Sequence, residues 1–227
     1  MDNLSIFDIA GPIMVGPSSS HTAGACKIGQ FARALFNTTP EKVTFYLHGS
    51  FAEVYQGHAT DKALLGGILK FKTSDPNIAR SFEIAKEKGL KYDFKIINLG
   101  AKAHPNTVKI VLKKGKNKME VTGSSVGGGI IEILKINNFD IHLKGRAGKY
   151  LSLVVHHEKK RSILNQIEKK LKGWGIGISN LQSRSLGNKS ISVIGMDGPR
   201  IKVPQVLELE KIPGIEFVRS LSKLEKQ

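Results

Sequence analysis

The run Gly16-Pro17-Ser18-Ser19-Ser20-His21-Thr22 sets three serines, a histidine and a threonine side by side. The following stretch, Ala23 to Phe36, reads as a helix, so the run lies where a loop becomes a helix N-terminus. Such a place offers free backbone N–H groups and the positive end of the helix dipole to an anion. The hydroxyls add donors, and His21 can move a proton near neutral pH. Together they suit a small carboxylate. A capping loop accounts for one Ser or Thr, not for the whole set.

Three more segments carry the same chemistry. His48-Gly49-Ser50-Phe51 is followed by Gly57-His58-Ala59-Thr60-Asp61, where Thr60 or Asp61 can cap a helix. His58 beside that helix start is expected to stay neutral, suited to accept a proton or donate a hydrogen bond. His104-Pro105-Asn106-Thr107 forms a polar loop whose turn Pro105 fixes. Gly123-Ser124-Ser125-Val126-Gly127-Gly128-Gly129 puts three glycines between two strands. The backbone there can bend tightly or form a concave N–H cradle for an anion. No Lys-Ser or Lys-Thr follows, so this is not a P-loop. There is no His-x-x-x-His and no Gly-x-Ser-x-Gly.

These segments must be positioned by a folded frame. Hydrophobic residues make up 40% of the 227, enough for real cores. Helices are expected at Ala23–Phe36, Asp61–Phe71, and after Asp75-Pro76 as far as Gly89. Strands are expected at Val43–Leu47, Phe94–Leu99, Val108–Lys113, Met119–Thr122, Ile130–Ile136 and Phe139–Leu143. Ser20 or Thr22 is the expected cap of the first helix. A break falls near Gly145-Arg146-Ala147-Gly148, dividing the chain into domains 1–146 and 147–227. The second reads as strand Tyr150–His156, helix Lys160–Leu171, strands around Ile176–Leu186 and Ser190–Met196, helix Val203–Lys211 and strand Ile215–Leu221. That order is βαββαβ, a ferredoxin-like arrangement, and the fold class is α+β.

The 35 Lys and Arg against 19 Asp and Glu leave a net charge of +16. The basic residues are dispersed and lack interleaved aromatics, so they read as a solvated surface rather than a nucleic-acid site. There is no membrane span or signal segment, and a cytoplasmic protein is expected. The lone Cys26 excludes an internal disulfide and a self-contained iron–sulfur site.

The stretch Ser5 to Thr22, with the later motifs in the same order, closely resembles the beta subunit of bacterial iron–sulfur L-serine dehydratases. The resemblance covers essentially the whole chain, and the trailing segment resembles an ACT domain. It implies that L-serine loses water to give aminoacrylate, then pyruvate and ammonia. It also implies a 4Fe–4S cluster held by a separate alpha subunit, so that this chain holds no metal and is inactive alone. The first domain would be of a substrate-binding type.

On the motif chemistry, His21 and His58 are the candidate catalytic residues. Ser18, Ser19, Ser20, Thr22 and Asp61 are candidate substrate-binding residues, as are His104, Asn106, Thr107, Ser124, Ser125 and the run Gly127, Gly128, Gly129. A non-catalytic module that binds a small carboxylate or assembles subunits is the alternative. Two departures stand out. Ala59 stands where the family usually has Gly. His156-His157-Glu158-Lys159-Lys160-Arg161 puts bulky charged residues at the turn where effector-binding ACT domains carry a small one. That segment is therefore expected to associate with another subunit, or with a second copy, rather than to bind serine.

Overall fold

The computed structural model describes residues 14–145 and 152–221. The motif portion Ser5–Ile13, the expected boundary at 146–147 and Tyr150 lie outside them. Residues 14–137 and 141–145 form one compact unit, and 138–140 with 152–221 form a second.

In the first unit, strand β1 (Lys42–His48) alternates as its sequence demands, with Val43, Phe45 and Leu47 buried. It pairs in parallel with β2 (Lys91–Ile96) and antiparallel with β3 (Thr107–Lys114). The sheet continues through β4 (Asn117–Gly127), β5 (Ile130–Ile136) and β6 (Phe139–Gly145), in the order β2-β1-β3-β4-β5-β6. Helix α1 (Ala25–Phe36) lies on one face, where Ile28 presses towards Gly123 of β4. Two further helices follow β1, α2 (Ser50–Val54) and α3 (Thr60–Ile68). Helix α3 packs on α1 through Gly29 and Gly67, whose backbones meet so closely that neither position has room for a Cβ. Helix α1 is thus covered almost all round, and its polar residues are bonded inside. Lys27 Nζ donates to the Gly129 carbonyl at 3.0 Å, and Gln30 Nε2 donates to the Phe71 carbonyl at 2.6 Å.

Several boundaries differ from expectation for visible reasons. A π-helical turn, Ser19–Gly24, precedes α1. Its cap is Ser18, whose Oγ accepts the His21 N–H, so neither Ser20 nor Thr22 caps α1. Helix α3 ends at Ile68, and Asp75-Pro76 opens a 3₁₀ turn, Pro76–Arg80, before helix α4 (Ser81–Glu87). Strand β2 begins at Lys91 because it pairs in register with Lys42 of β1. Strand β4 runs on through the Ser-Gly segment, paired with β5 and bulged between Ser125 and Gly127.

In the second unit the elements are β7 (Ser152–Glu158), α5 (Arg161–Gly173), β8 (Gly177–Leu186), β9 (Lys189–Asp197), α6 (Val203–Glu210) and β10 (Ile215–Leu221). The sheet order is β10-β7-β9-β8. Ile163, Ile167 and Leu171 of α5 bury against Leu153, Val155, Ile194 and Met196. Among the described residues, no helix is long and apolar enough to cross a membrane.

Candidate active site

The conformation of Ser18 explains the site's first contact. Its backbone is extended, and its Oγ takes the His21 N–H at 3.2 Å. The same oxygen lies 3.3 Å from His21 Nδ1, so both ends of residue 21 are tied to one hydroxyl. On the other side of the ring, His21 Nε2 lies 3.0 Å from Ser50 Oγ. The ring meets His58 at 5.0 Å between centroids and the edge of Phe51 at 5.5 Å. Thr22 is fully buried and donates its hydroxyl proton to the His58 carbonyl at 3.2 Å. The Ser-His-Thr run and the His58 segment are therefore held directly together, although 36 residues separate Thr22 from His58.

The other segments join through backbone. Gly49 has φ +56, and a Cβ there would fall 2.8 Å from the Pro105 backbone, so only glycine lets the two loops meet. Phe51 N–H donates to the Pro105 carbonyl at 3.3 Å, and Ser125 N–H donates to the Asn106 carbonyl at 2.9 Å. Gly24, at the end of the π-helical turn, packs on the Ser125 hydroxyl with no space for a side chain. Gly127, Gly128 and Gly129 all have positive φ; Gly127 ends β4, and Gly128 and Gly129 form the turn into β5. Lys27 ties that turn to α1. Every segment singled out in the sequence thus reaches this one neighbourhood.

Within it, the residues fall into two groups. Thr107 and Ser124 face each other across β3 and β4, and their hydroxyls lie 2.6 Å apart. Thr107 also donates to the His104 carbonyl at 2.5 Å, so Ser124 is the donor to Thr107. His104 Nδ1 accepts the Asn106 N–H at 3.1 Å. These three side chains shape the loop. Asp61 is buried and accepts the Lys62 N–H. Ser19 and Ser20 are half-buried in the π-helical turn. By contrast, His58 Nδ1, Thr60 Oγ1, Asn106 Oδ1 and Ser125 Oγ are buried polar atoms with no hydrogen-bond partner. A protein rarely leaves such atoms unpaired, and these four belong to the segments drawn together here, where they are able to bind a polar ligand.

Burial, reinforced by the nearby His58, lowers the His21 pKa, so its imidazole is neutral at physiological pH. Burial raises the Asp61 pKa against the opposing pull of the Lys62 N–H. A neutral imidazole between two hydroxyls can orient or accept a proton. The chain's own donors do not fit an iron–sulfur cluster. Cys26 is buried with its thiol towards the Phe71 carbonyl. No group of three or more His, Cys, Asp or Glu gathers among the described residues.

This constellation lies almost wholly within residues 5–135, which match the serine dehydratase beta chain family. The chain belongs to that family. It is 39% identical over 220 residues to a probable L-serine dehydratase beta chain of Bacillus subtilis (strain 168), covering 96% of this chain and 98% of that one. It is 43% identical over 195 residues to the L-serine dehydratase beta chain of Peptoniphilus asaccharolyticus, covering 86% of each. An L-serine dehydratase of Helicobacter pylori (strain J99) is 32% identical over 149 residues, 56% of this chain and 32% of that protein. Two residues of this family member escape a reading of its sequence. Ser50 was visible only as part of a motif, and the burial of Lys27 depends on the distant Gly129 turn.

Proposed function

We propose that this chain is the substrate-holding half of an L-serine dehydratase, converting L-serine to pyruvate and ammonia together with a cluster-bearing alpha subunit. The observation that carries the reading is the group of unpaired buried atoms around a neutral His21. It suits a small zwitterion with a hydroxyl, which offers both acceptors and donors. Family membership and the beta-chain names of the long relatives supply the reaction class.

In this reading the Lewis acid is a 4Fe–4S cluster carried by the alpha subunit. This chain's residues bind and orient. The hydroxyls of Ser19 and Ser20, with N–H groups at the start of the π-helical turn, take the carboxylate, while Ser18 and Thr22, bonded to His21 and to the His58 carbonyl, hold the run in place. His21 and His58 hold protons near the reacting carbons, and Asn106, Ser125 and the Gly127–Gly129 turn complete the wall. His104, Thr107, Ser124 and Asp61 support it. The second unit is an ACT-type domain, a reading supported by its βαββαβ order and by the sheet order β10-β7-β9-β8. It serves assembly rather than serine binding. Its β7–α5 turn carries the charged pair Glu158 and Lys160, 2.6 Å apart, in place of a small residue, while the edge strand β8 exposes Ile178, Leu181 and Leu186.

The test is a reconstituted alpha–beta complex in which His21→Ala is compared with wild type. A drop in turnover of at least about a hundredfold is expected for loss of a proton-handling imidazole. Normal turnover would remove His21 from the mechanism.

A further inference from the structure

The hydrogen bonds around His21 form a chain, and that chain ends on a residue with no role so far. A backbone N–H only donates, so Ser18 Oγ is the acceptor of the His21 N–H at 3.2 Å. The Ser18 hydroxyl proton is then available to His21 Nδ1, 3.3 Å away. A neutral imidazole that accepts at Nδ1 carries its proton on Nε2. In that tautomer, the one taken below, Nε2–H donates to Ser50 Oγ, 3.0 Å away. Having accepted there, Ser50 keeps its own proton to give, and no second partner takes it among the described residues. Donors linked in this way polarise one another, so the last hydroxyl is a better donor than an isolated one.

The backbone that presents Ser50 is held firmly. It follows Gly49, whose left-handed conformation fits against Pro105, and it precedes Phe51, whose N–H is bonded to the Pro105 carbonyl. Asn106, the next residue on that loop, carries one of the unpaired buried oxygens, and His58, against the His21 ring, carries another unpaired atom. Ser50 thus joins the His21 ring to the loop that carries Asn106.

We propose that Ser50 is a substrate-binding residue, the terminal donor of a Ser18–His21–Ser50 relay, and that its hydroxyl donates a hydrogen bond to the hydroxyl oxygen of the bound amino acid. This rests on the reading of the site as one for L-serine. The hydrogen bond holds the substrate's C–O bond in one orientation, and no proton has to move along the relay for it to act. It distinguishes L-serine from L-alanine, which has the same carboxylate and amine but no hydroxyl.

Two measurements test it. The first uses the full chain alone, with nitrogen-15 NMR of its imidazoles near neutral pH. The Nε2–H tautomer is expected for His21 in wild type and in Ser50→Ala, and a mixture of tautomers in Ser18→Ala. An Nδ1–H tautomer in wild type would overturn the relay. The second uses the reconstituted alpha–beta complex. Ser50→Ala should lower kcat/KM for L-serine roughly tenfold to a hundredfold, as loss of one oriented donor does. Inhibition by L-alanine should be unchanged, and Ser50→Thr should recover most of the loss. Unchanged kcat/KM in Ser50→Ala would overturn the proposal, as would equal weakening of L-serine and L-alanine. If the wild-type complex itself fails to turn over L-serine, the functional reading fails, and the tautomer measurement still decides the relay.

Discussion

The crossing of α1 and α3 sets the distance between the two histidines, and Gly67→Ala tests it. A Cβ at Gly67 would lie 2.8 Å from the Gln30 nitrogen and 2.9 Å from the Gly29 Cα, with the Cys26 carbonyl oxygen closer still. All three are backbone atoms of α1, so no side-chain rotation relieves the overlap, and the helices must move apart. Overpacking of this kind costs about 2–3 kcal/mol. The better helix propensity of Ala offsets about 1 kcal/mol of that. The net loss is about 1–2 kcal/mol, and at about 2–4 °C per kcal/mol the melting temperature falls by about 2–8 °C. The assay is thermal unfolding followed by far-UV circular dichroism. Gly173→Ala is the control, because that helical glycine has nothing within 4 Å and no positive φ. It should melt at or slightly above wild type. If Gly67→Ala melts with or above wild type, the close helix crossing is not what holds the site together.

Other perturbations follow from single contacts. Ala59 sits in the left-handed region with φ +55, which glycine adopts without strain. Ala59→Gly should therefore stabilise the chain by about 0.5–1 kcal/mol in urea unfolding, and a destabilised variant would contradict the strain. Thr107→Val keeps the shape but leaves the buried Ser124 hydroxyl and the His104 carbonyl without their partner. A loss of about 1–3 kcal/mol is expected in the same assay, and an unchanged midpoint would show that the pair contributes nothing.

The pH dependence has a definite sign. Burial lowers the pKa of His21, His156 and His157 below the ordinary 6.5. Each takes up a proton more readily when unfolded, so its contribution is whole above that value and is lost as pH falls through it. Urea midpoints measured from about pH 8 down to about pH 5 should fall, and a flat profile would contradict this. Leu181→Asp places a charge on the exposed edge strand β8, and any self-association of the chain seen in sedimentation should weaken. Unchanged association would move the assembly surface elsewhere.

Much of the frame was legible from residue type and spacing. Gly187-Asn188 marks a hairpin, and the strands on either side end and begin at Leu186 and Lys189. Lys114-Gly115-Lys116-Asn117 does the same for β3 and β4, with Gly115 at φ +53. The strand character of Gly123–Gly127 was hidden because small residues there answer to α1 pressing on that face, not to strand propensity. The π-helical turn was equally hidden, since nothing in Ser-Ser-His-Thr distinguishes it from an ordinary helix start. The four site segments declared themselves by composition, but their roles did not. The bonding of Thr107 to Ser124, the burial of Lys27 and the placement of Ser50 on His21 are all long-range contacts, and no local pattern encodes them.

In the proposed function this chain holds L-serine for a partner that carries the metal. Co-expression with a serine dehydratase alpha subunit without oxygen, followed by assay of pyruvate formed from L-serine, tests it most directly. Pyruvate is expected from the complex, none from this chain alone, and most turnover should be lost in His21→Ala. Full activity of the alpha subunit without this chain, or normal activity of the complex with His21→Ala, would contradict it.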